Sequence, residues 1–123
     1  MKNIRPLTIF LDIDGCIFPH PGHPNNHLTP ISEMYLLPGV KEKFNEWIMK
    51  DYKIILVTGR KECTRNETVT QLKNFGITWD QLIMGIGGGN RILINDTKPN
   101  SNENTATAYT IKRNQGMSEL QDV

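Results

Sequence analysis

The sequence predicts an α/β protein with a three-layer, Rossmann-like open parallel sheet. Short apolar runs rich in β-forming residues alternate with segments of helical period, as expected when each strand is buried on both faces. Polar residues and glycines directly follow these runs. In parallel sheets this is the edge where ligands bind, so we expect a functional site there.

Length and composition predict a single domain over residues 1–123, because a chain of this size can bury one continuous core. The formal net charge of +1 argues against a broad field for nucleic acid or an anionic membrane. The first apolar run is too short for a signal peptide or a spanning helix. Cys16 and Cys63 are too few for a disulfide framework. We therefore expect a soluble cytoplasmic protein with no membrane partner.

The first half of the chain is predicted as strand, loop, helix and strand. Residues 7–11 form the first buried strand, and the proline-rich stretch that follows makes residues 16–38 a small flap. A helix is expected over 39–50, and KIILVTGR at 53–60 repeats the pattern of a buried strand with a polar end. The apolar face of the helix is predicted to contain Val40, Phe44, Trp47 and Ile48.

A second helix is expected to begin at Thr64 and to end near Gly76. Thr64 with Glu67 three residues later has the spacing of a capping box. Gly76 stands where a left-handed residue commonly ends a helix.

The remainder of the chain is predicted to contain short strands and a polar end. LIMGI and RILIND have strand character and are separated by a triple glycine. Residues 107–111 are expected to form one further edge strand, and residues 112–123 a frayed polar tail.

Three separate segments deliver polar side chains to one edge of this sheet. Because the carboxyl ends of parallel strands meet at one edge, the convergence of all three is stronger evidence than any one segment. A set of solvated strand ends is the less favoured interpretation. The residues are Asp12 and Asp14 after the first strand, Thr58 and Arg60 after the second, and Asn95 and Asp96 after RILIND.

Carboxylates gathered in one crevice repel each other, and a divalent cation would relieve that repulsion. Oxygen ligands with positions open to water and phosphate suit Mg²⁺. One carboxylate could then attack phosphorus, and another could exchange protons with the leaving group and with water. Residues i and i+2 of a strand point to the same side, so Asp12 and Asp14 can address one phosphorus. Thr58 has a hydroxyl suited to a phosphate oxygen.

These motifs resemble the haloacid dehalogenase (HAD) superfamily of phosphohydrolases. TIFLDIDG matches the family's first motif, IILVTGR the strand that ends in Thr or Ser, and ILIND the last acidic motif, in the family's order. The resemblance implies that Asp12 is the nucleophile, Asp14 the general acid and base, and Thr58 a phosphate ligand. It also implies that Mg²⁺ is bound by Asp12, Asp96 and the backbone carbonyl of Asp14. Gly59 and Arg60 of the second motif are further phosphate-binding candidates.

Three positions depart from the family pattern. Cys16 replaces the usual Thr after DxDG, and Asn95 stands where many members have a second acid. The Lys that precedes the last motif in the family is missing. Arg91 is the first candidate to replace it and Lys98 the second, although an ordinary surface role for Arg60 or Arg91 is about as well supported.

Many members of this superfamily insert a large cap domain after the first or second motif, and the corresponding gaps in this sequence are too short for one. The resemblance therefore implies no large cap domain and an open site. Such a site suits a macromolecular substrate, a small substrate enclosed by a homo-oligomer partner, or a polar head group. We expect a sugar phosphate or another small phosphomonoester; a polynucleotide 3′-phosphate is possible but not favoured. A non-catalytic phosphate- or sugar-binding module is the main alternative, and a receiver-type domain is a weaker one.

The flap has three histidines, His20, His23 and His27. Their spacing in a proline-rich loop matches no zinc pattern, so an exposed or substrate-contacting role is favoured over metal ligation.

Overall fold

The sheet of this protein is parallel and is built from strands that alternate with helices. The computed structural model describes residues 5–22 and 25–123. Three strands lie in the order β1, β2, β3, and this arrangement confirms the predicted α/β class. The regular elements are β1 Thr8–Asp12, α1 Val40–Met49, β2 Lys53–Val57, α2 Arg65–Asn74 and β3 Gln81–Ile83, with short 3₁₀ helices at Asn26–Leu28, Ile31–Glu33 and Glu62–Thr64.

The register of the strands brings their carboxyl ends to one edge. Asp12, the last residue of β1, is the ladder partner of Val57, the last residue of β2. Val57 in turn pairs with Ile83, the last residue of β3. Residues that follow Asp12 and Val57 therefore leave the sheet side by side.

Helix α1 packs its apolar face on the core, as its helical spacing predicts. Val40, Phe44 and Trp47 are buried, and the rings of Phe44 and Trp47 lie 5.4 Å apart between centroids. Ile48, which was predicted to share this face, is 51% exposed, so the buried stripe is narrower than expected. The fully buried side chains of the core include Ile13, Ile17, Phe18, Leu56, Leu72 and Met117.

The two predicted caps of helix α2 have different outcomes. Gly76 has a positive φ of 73° just beyond the helix, which confirms the predicted left-handed end. The capping box is wrong: the Thr64 side chain makes no cap hydrogen bond and instead donates its hydroxyl to the carbonyl of Lys61. The hydroxyl is directed back to the preceding 3₁₀ turn, and its oxygen accepts no amide of the first helical turn.

The strands predicted at 91–96 and 107–111 are absent from the part of the chain that the structure describes. Ile92, Leu93 and Ile94 are 84%, 61% and 87% exposed, although their residue types favour a strand. A strand forms only where backbone partners complete a ladder. Within the described ranges β1 pairs with β2 alone, and this segment does not extend the sheet at the other edge of β1.

The end of the described chain is packed against the body of the protein, so the predicted frayed tail is wrong. Met117 is fully buried, and its amide donates to the carbonyl of Pro38 at 2.7 Å. Lys43 donates from Nζ to the carbonyl of Val123 at 2.7 Å. Gly116 has a φ of 85°, and a β-carbon there would overlap the Pro38 carbonyl. The contact therefore requires glycine at position 116.

None of the helices within residues 5–22 and 25–123 has the length and apolar character needed to cross a bilayer.

Candidate active site

Asp12 lies at the edge where the strands end. Its side chain is 37% exposed. Oδ1 accepts a hydrogen bond from the amide of Ile13 at 3.0 Å, and Oδ2 lies 3.2 Å from Nη1 of Arg91. Among the described residues Asp12 is therefore an accessible carboxylate with a cation beside it.

The chain turns sharply after Asp12 and carries Asp14 out of the strand. Three successive amides, those of Cys16, Ile17 and Phe18, converge on the carbonyl of Ile13. Gly15 has a φ of 90°, a value that side-chain-bearing residues rarely adopt. This turn explains why a glycine follows the second aspartate.

Asp14 is held by a buried arginine. Arg60 donates from Nε to Oδ2 at 3.0 Å and from Nη2 to Oδ1 at 2.8 Å, which is a bidentate pair. The Arg60 side chain is 2% exposed and that of Asp14 17% exposed. Arg60 also donates from Nη1 to Thr68 and Gln71 of α2, at 3.1 and 2.6 Å.

These contacts favour a role for Arg60 other than the predicted phosphate binding. Its guanidinium is buried, and its polar edges already face Asp14 and helix α2. A phosphate could reach it only by displacing the Asp14 carboxylate. The geometry gives Arg60 the role of orienting Asp14.

Thr58 and Gly59 follow β2 beside Asp12. The Thr58 hydroxyl oxygen accepts from the Arg60 amide at 3.1 Å, and the residue is 1% exposed. Gly59 is exposed, and among the described residues its amide makes no hydrogen bond. A β-carbon at Gly59 would lie 3.4 Å from the carbonyl oxygen of Ile86, so the turn is tight.

Arg91 and Lys98, the two candidates for the missing Lys, lie in different surroundings. Arg91 reaches Asp12 with a side chain that is 46% exposed. Lys98 lies in an exposed turn where its carbonyl accepts from the amide of Ser101. The structure therefore places Arg91 against Asp12, and it shows no contact of Lys98 with Asp12 or Asp14 among the described residues.

Asp96 is exposed, and its carbonyl accepts a hydrogen bond from the Thr105 hydroxyl at 2.6 Å. Within residues 5–22 and 25–123, no group of three or more His, Cys, Asp or Glu side chains is placed to hold a metal ion. Asp96 thus does not join Asp12 and Asp14. Neither His20 nor His27 belongs to such a group, and His23 lies outside the described residues.

Several residues at the site carry no motif and were missed from the sequence. Asn26 donates from Nδ2 to Oδ1 of Asp14 at 2.5 Å, and Gln71 accepts from Arg60. The backbone amide of Asn114 donates to the carbonyl of Gly15 at 3.0 Å, and Oδ1 of the Asn114 side chain accepts from the backbone amide of His20 at 2.6 Å. These partners are distant in the sequence, so no local spacing signals them.

Cys16 lies in the same turn as Asp14 and is a half-buried free thiol. Burial, and secondly the negative charge of Asp12, raises the pKa of this thiol to about 11. Arg91 and Arg113 oppose this effect through their charges, which indicates that both guanidinium groups lie near the turn. A β-carbon on Gly15 would lie 3.2 Å from Cγ of Arg113, which places that side chain over the turn.

Solved structures with a similar fold include chains from two structures of Pnkp1/Rnl/Hen1 complexes. A chain of the Pnkp1/Rnl/Hen1 complex is 29% identical, with a TM-score of 0.55 over 64% of this chain and 27% of that chain. A chain of the Pnkp1/Rnl/Hen1 RNA repair complex is 26% identical, with a TM-score of 0.56 over 70% of this chain and 28% of that chain. The protein thus spans little more than a quarter of either chain's length.

A weaker likeness links the chain to D,D-heptose 1.7-bisphosphate phosphatase from B. bronchiseptica, complexed with magnesium and phosphate. The identity is 18% and the TM-score 0.45, over 67% of this chain and 51% of that chain. This likeness is too weak to bear on substrate or mechanism. No curated protein matches the chain significantly.

The model of one protein family matches residues 32–122, well over half of the sequence. Asp12 and Asp14 precede the matched stretch, whereas Thr58, Arg60 and Asp96 fall inside it. The family is described as HAD superfamily, subfamily IIIB (acid phosphatase). With the α/β fold and the strand-end carboxylates in place, the chain belongs to subfamily IIIB of the HAD superfamily.

Proposed function

We propose that the protein is a Mg²⁺-dependent phosphomonoester hydrolase that acts through an aspartyl-phosphate on Asp12. The observation that carries this proposal is the pairing of Asp12 with Arg91 at the strand ends. A half-exposed carboxylate stands 3.2 Å from a guanidinium that is itself half exposed. A nucleophile and a cation therefore meet at one opening, as phosphoryl transfer requires.

The reaction takes place in two displacements at phosphorus. An Asp12 carboxylate oxygen forms a bond to phosphorus while the bond to the ester oxygen breaks, and Asp14 gives its proton to the departing oxygen. Asp14 then takes a proton from water, whose oxygen attacks the phosphorus of the aspartyl-phosphate. Inorganic phosphate leaves, and the carboxylate of Asp12 is restored. One ester and one water thus become one alcohol and one phosphate.

The phosphate is held by Arg91, Gly59 and Thr58. In the substrate-free site Arg91 is paired with Asp12, and an incoming phosphate draws the guanidinium to its own oxygens and frees the nucleophile. The amide of Gly59, which has no hydrogen-bond partner among the described residues, and the hydroxyl hydrogen of Thr58 are donors at the same edge. Arg60 acts one step further away, by orienting Asp14.

The oxygen donors at this edge fit Mg²⁺, which commonly takes one or two carboxylates and leaves the remaining positions to water and phosphate. The Asp14 carboxylate is held by the buried guanidinium of Arg60, whereas Asp12 is more exposed, so the carboxylate of Asp12 and the backbone carbonyl of Asp14 would be the ligands in this proposal. Asp96 is the third proposed ligand; because it is not grouped with Asp12 and Asp14 in the described structure, its exposed segment would have to move toward Asp12 when the cation binds. When bound, the cation neutralises charge on the phosphoryl group.

The substrate class that we propose first is a sugar phosphate or another small phosphomonoester, because the formal net charge of +1 gives little electrostatic attraction for a polyanion such as nucleic acid. A nucleic acid that ends in a phosphate is the second candidate, favoured by the likeness to Pnkp1/Rnl/Hen1 chains at 26–29% identity. A non-catalytic phosphate-binding module is the remaining alternative. Cys16 and Cys63 are free thiols, which supports a reducing, cytoplasmic compartment.

The test is phosphate release from sugar phosphates, nucleotides and 3′-phosphorylated oligonucleotides, each with Mg²⁺ and with excess chelator. Release that requires Mg²⁺ and is confined to one class would identify the substrate family. Binding of Mg²⁺ and inorganic phosphate without turnover of any compound would favour the non-catalytic module. Release at the same rate in chelator would remove Mg²⁺ from the proposal.

A further inference from the structure

Asn26 lies in the flap and contacts the proposed acid and base directly. It is 4% exposed. Nδ2 donates to Oδ1 of Asp14 at 2.5 Å and to the carbonyl of Pro19 at 3.3 Å, while Oδ1 of Asn26 accepts from the Thr29 hydroxyl at 2.8 Å. Because a carboxylate can only accept, the amide nitrogen must face Asp14, and this orients the Asn26 side chain.

The two oxygens of Asp14 are unequally occupied as a result. Among the residues that the structure describes, Oδ1 accepts from Asn26 and from Nη2 of Arg60, whereas Oδ2 accepts a hydrogen bond from Nε of Arg60 alone. Each carboxylate oxygen has two lone-pair positions. Oδ1 is therefore saturated, and Oδ2 keeps one position for a proton.

We propose that Asn26 is a positioning residue that directs proton transfer through Oδ2 of Asp14 by occupying Oδ1. This inference rests on the proposed phosphatase function, in which Asp14 exchanges protons with the leaving oxygen and with water. Asn26 touches no reacting atom; it acts through Asp14. Without its amide, both oxygens of Asp14 compete for the proton and the carboxylate loses one of its three hydrogen bonds.

Gln71 ties Asn26 and Arg60 to the same helix. Its Nε2 donates to the carbonyls of Asn26 and His27 at 3.1 and 3.2 Å, and its Oε1 accepts from Nη1 of Arg60 at 2.6 Å. Gln71 is 3% exposed. One buried side chain of α2 thus fixes both groups that hold Asp14, which keeps their relative position constant as precise proton transfer requires.

The test is the rate of leaving-group release in a single turnover, measured for aryl phosphates of rising leaving-group pKa. A leaving group of low pKa needs little protonation, whereas one of high pKa depends on a correctly placed acid. We expect Asn26→Ala to slow release by roughly tenfold for the poorest leaving group and by much less for the best. The plot of log rate against leaving-group pKa should become steeper, with KM nearly unchanged.

Three further variants make the result specific. Asn26→Asp places a second carboxylate against Oδ1 and should act in the same direction more strongly. Thr29→Val removes only the outer partner of Asn26 and serves as a mild variant if the others fold poorly. Asn74→Ala is the matched control, because Asn74 is exposed and makes no side-chain hydrogen bond in the part of the chain that the structure describes.

An equal slowing of all leaving groups, or a KM effect alone, would overturn the positioning role of Asn26 and leave it a structural residue. A wild-type rate in Asn26→Ala would do the same. If wild-type protein releases none of the leaving groups, the proposed phosphatase function itself fails and this inference fails with it. The two failures are thus distinguished by the wild-type rate.

Discussion

The guanidinium of Arg60 forms a bidentate pair with the carboxylate of Asp14, with N···O distances of 3.0 and 2.8 Å. The pair joins the turn after β1 to the turn after β2 across 46 positions of sequence. A bidentate pair fixes the plane of the carboxylate as well as its distance. The orientation of the proposed acid and base therefore depends on a residue that substrate does not touch.

Replacing Arg60 should reduce both stability and activity. Arg60→Ala leaves Asp14 without its buried counter-charge and should lower the free energy of unfolding by about 3 kcal/mol. Arg60→Lys keeps the charge but loses the paired geometry, so it should retain more stability than activity. Urea unfolding and initial rates measure the two effects. Lys61→Ala, at an exposed neighbouring position, should change neither; an Arg60→Lys variant with the wild-type rate would contradict the orienting role.

The packed C-terminal segment should be sensitive to a single methyl group. Gly116→Ala places a β-carbon against the Pro38 carbonyl at a positive φ, so we expect a fall in the unfolding midpoint and greater protease cleavage after residue 112. Gly76→Ala is the matched control, because Gly76 has a similar φ of 73° but no atom within 4 Å of the added carbon. It should cost about 1 kcal/mol from backbone strain alone. Equal effects of the two variants would show that the Pro38 contact contributes nothing.

Arg91 rather than Lys98 should serve the substrate phosphate. Arg91→Ala removes the cation 3.2 Å from Asp12 and should lower kcat/KM by roughly a hundredfold, since a phosphate clamp contributes several kcal/mol to such reactions. Lys98→Ala should leave kcat/KM within about twofold, a change that corresponds to less than ~0.5 kcal/mol. Steady-state kinetics on the best substrate of the panel decides between them. The reverse ranking would assign the role to Lys98.

Loss of Asp96 should weaken Mg²⁺ binding without unfolding the protein. Asp96 is exposed and its side chain makes no ion pair within the described residues, so Asp96→Asn should keep the wild-type melting temperature. The Mg²⁺ concentration for half-maximal activity should rise by roughly tenfold or more, because one anionic ligand is lost. Titration by calorimetry gives the same constant without turnover. Unchanged Mg²⁺ affinity would remove Asp96 from the ligand set.

Local sequence patterns predicted the strands that form the sheet, because short apolar runs rich in β-forming residues favour strands. The expected burial on both faces is wrong: Phe10 of β1 is 56% exposed and Ile83 of β3 is 40% exposed. The same logic placed Asp12 and Thr58 at one edge, as the register confirms. The strand prediction is wrong at residues 91–96: their residue types favour a strand, but this segment pairs with no strand in the part of the chain that the structure describes. Residue type gives a preference for a strand, but pairing decides it.

The side-chain network around Asp14 could not be predicted in this way. Arg60 was identified as a basic residue at a strand end, but whether such a residue faces substrate or a carboxylate depends on contacts across the fold. Asn26 and Asn114 act through hydrogen bonds to residues 12 and 94 positions away. No periodicity or motif spacing encodes contacts of that kind.

The most direct test of Asp12 as nucleophile is detection of a covalent phosphoryl group during turnover of an aryl phosphate with Mg²⁺. Reactions are quenched in acid and the protein is digested and analysed by mass spectrometry, with Asp14→Asn used to slow hydrolysis of the intermediate. We expect a phosphoryl adduct on the peptide that contains Asp12, and neither adduct nor phosphate release in Asp12→Asn. Phosphate release by Asp12→Asn at the wild-type rate would contradict the account.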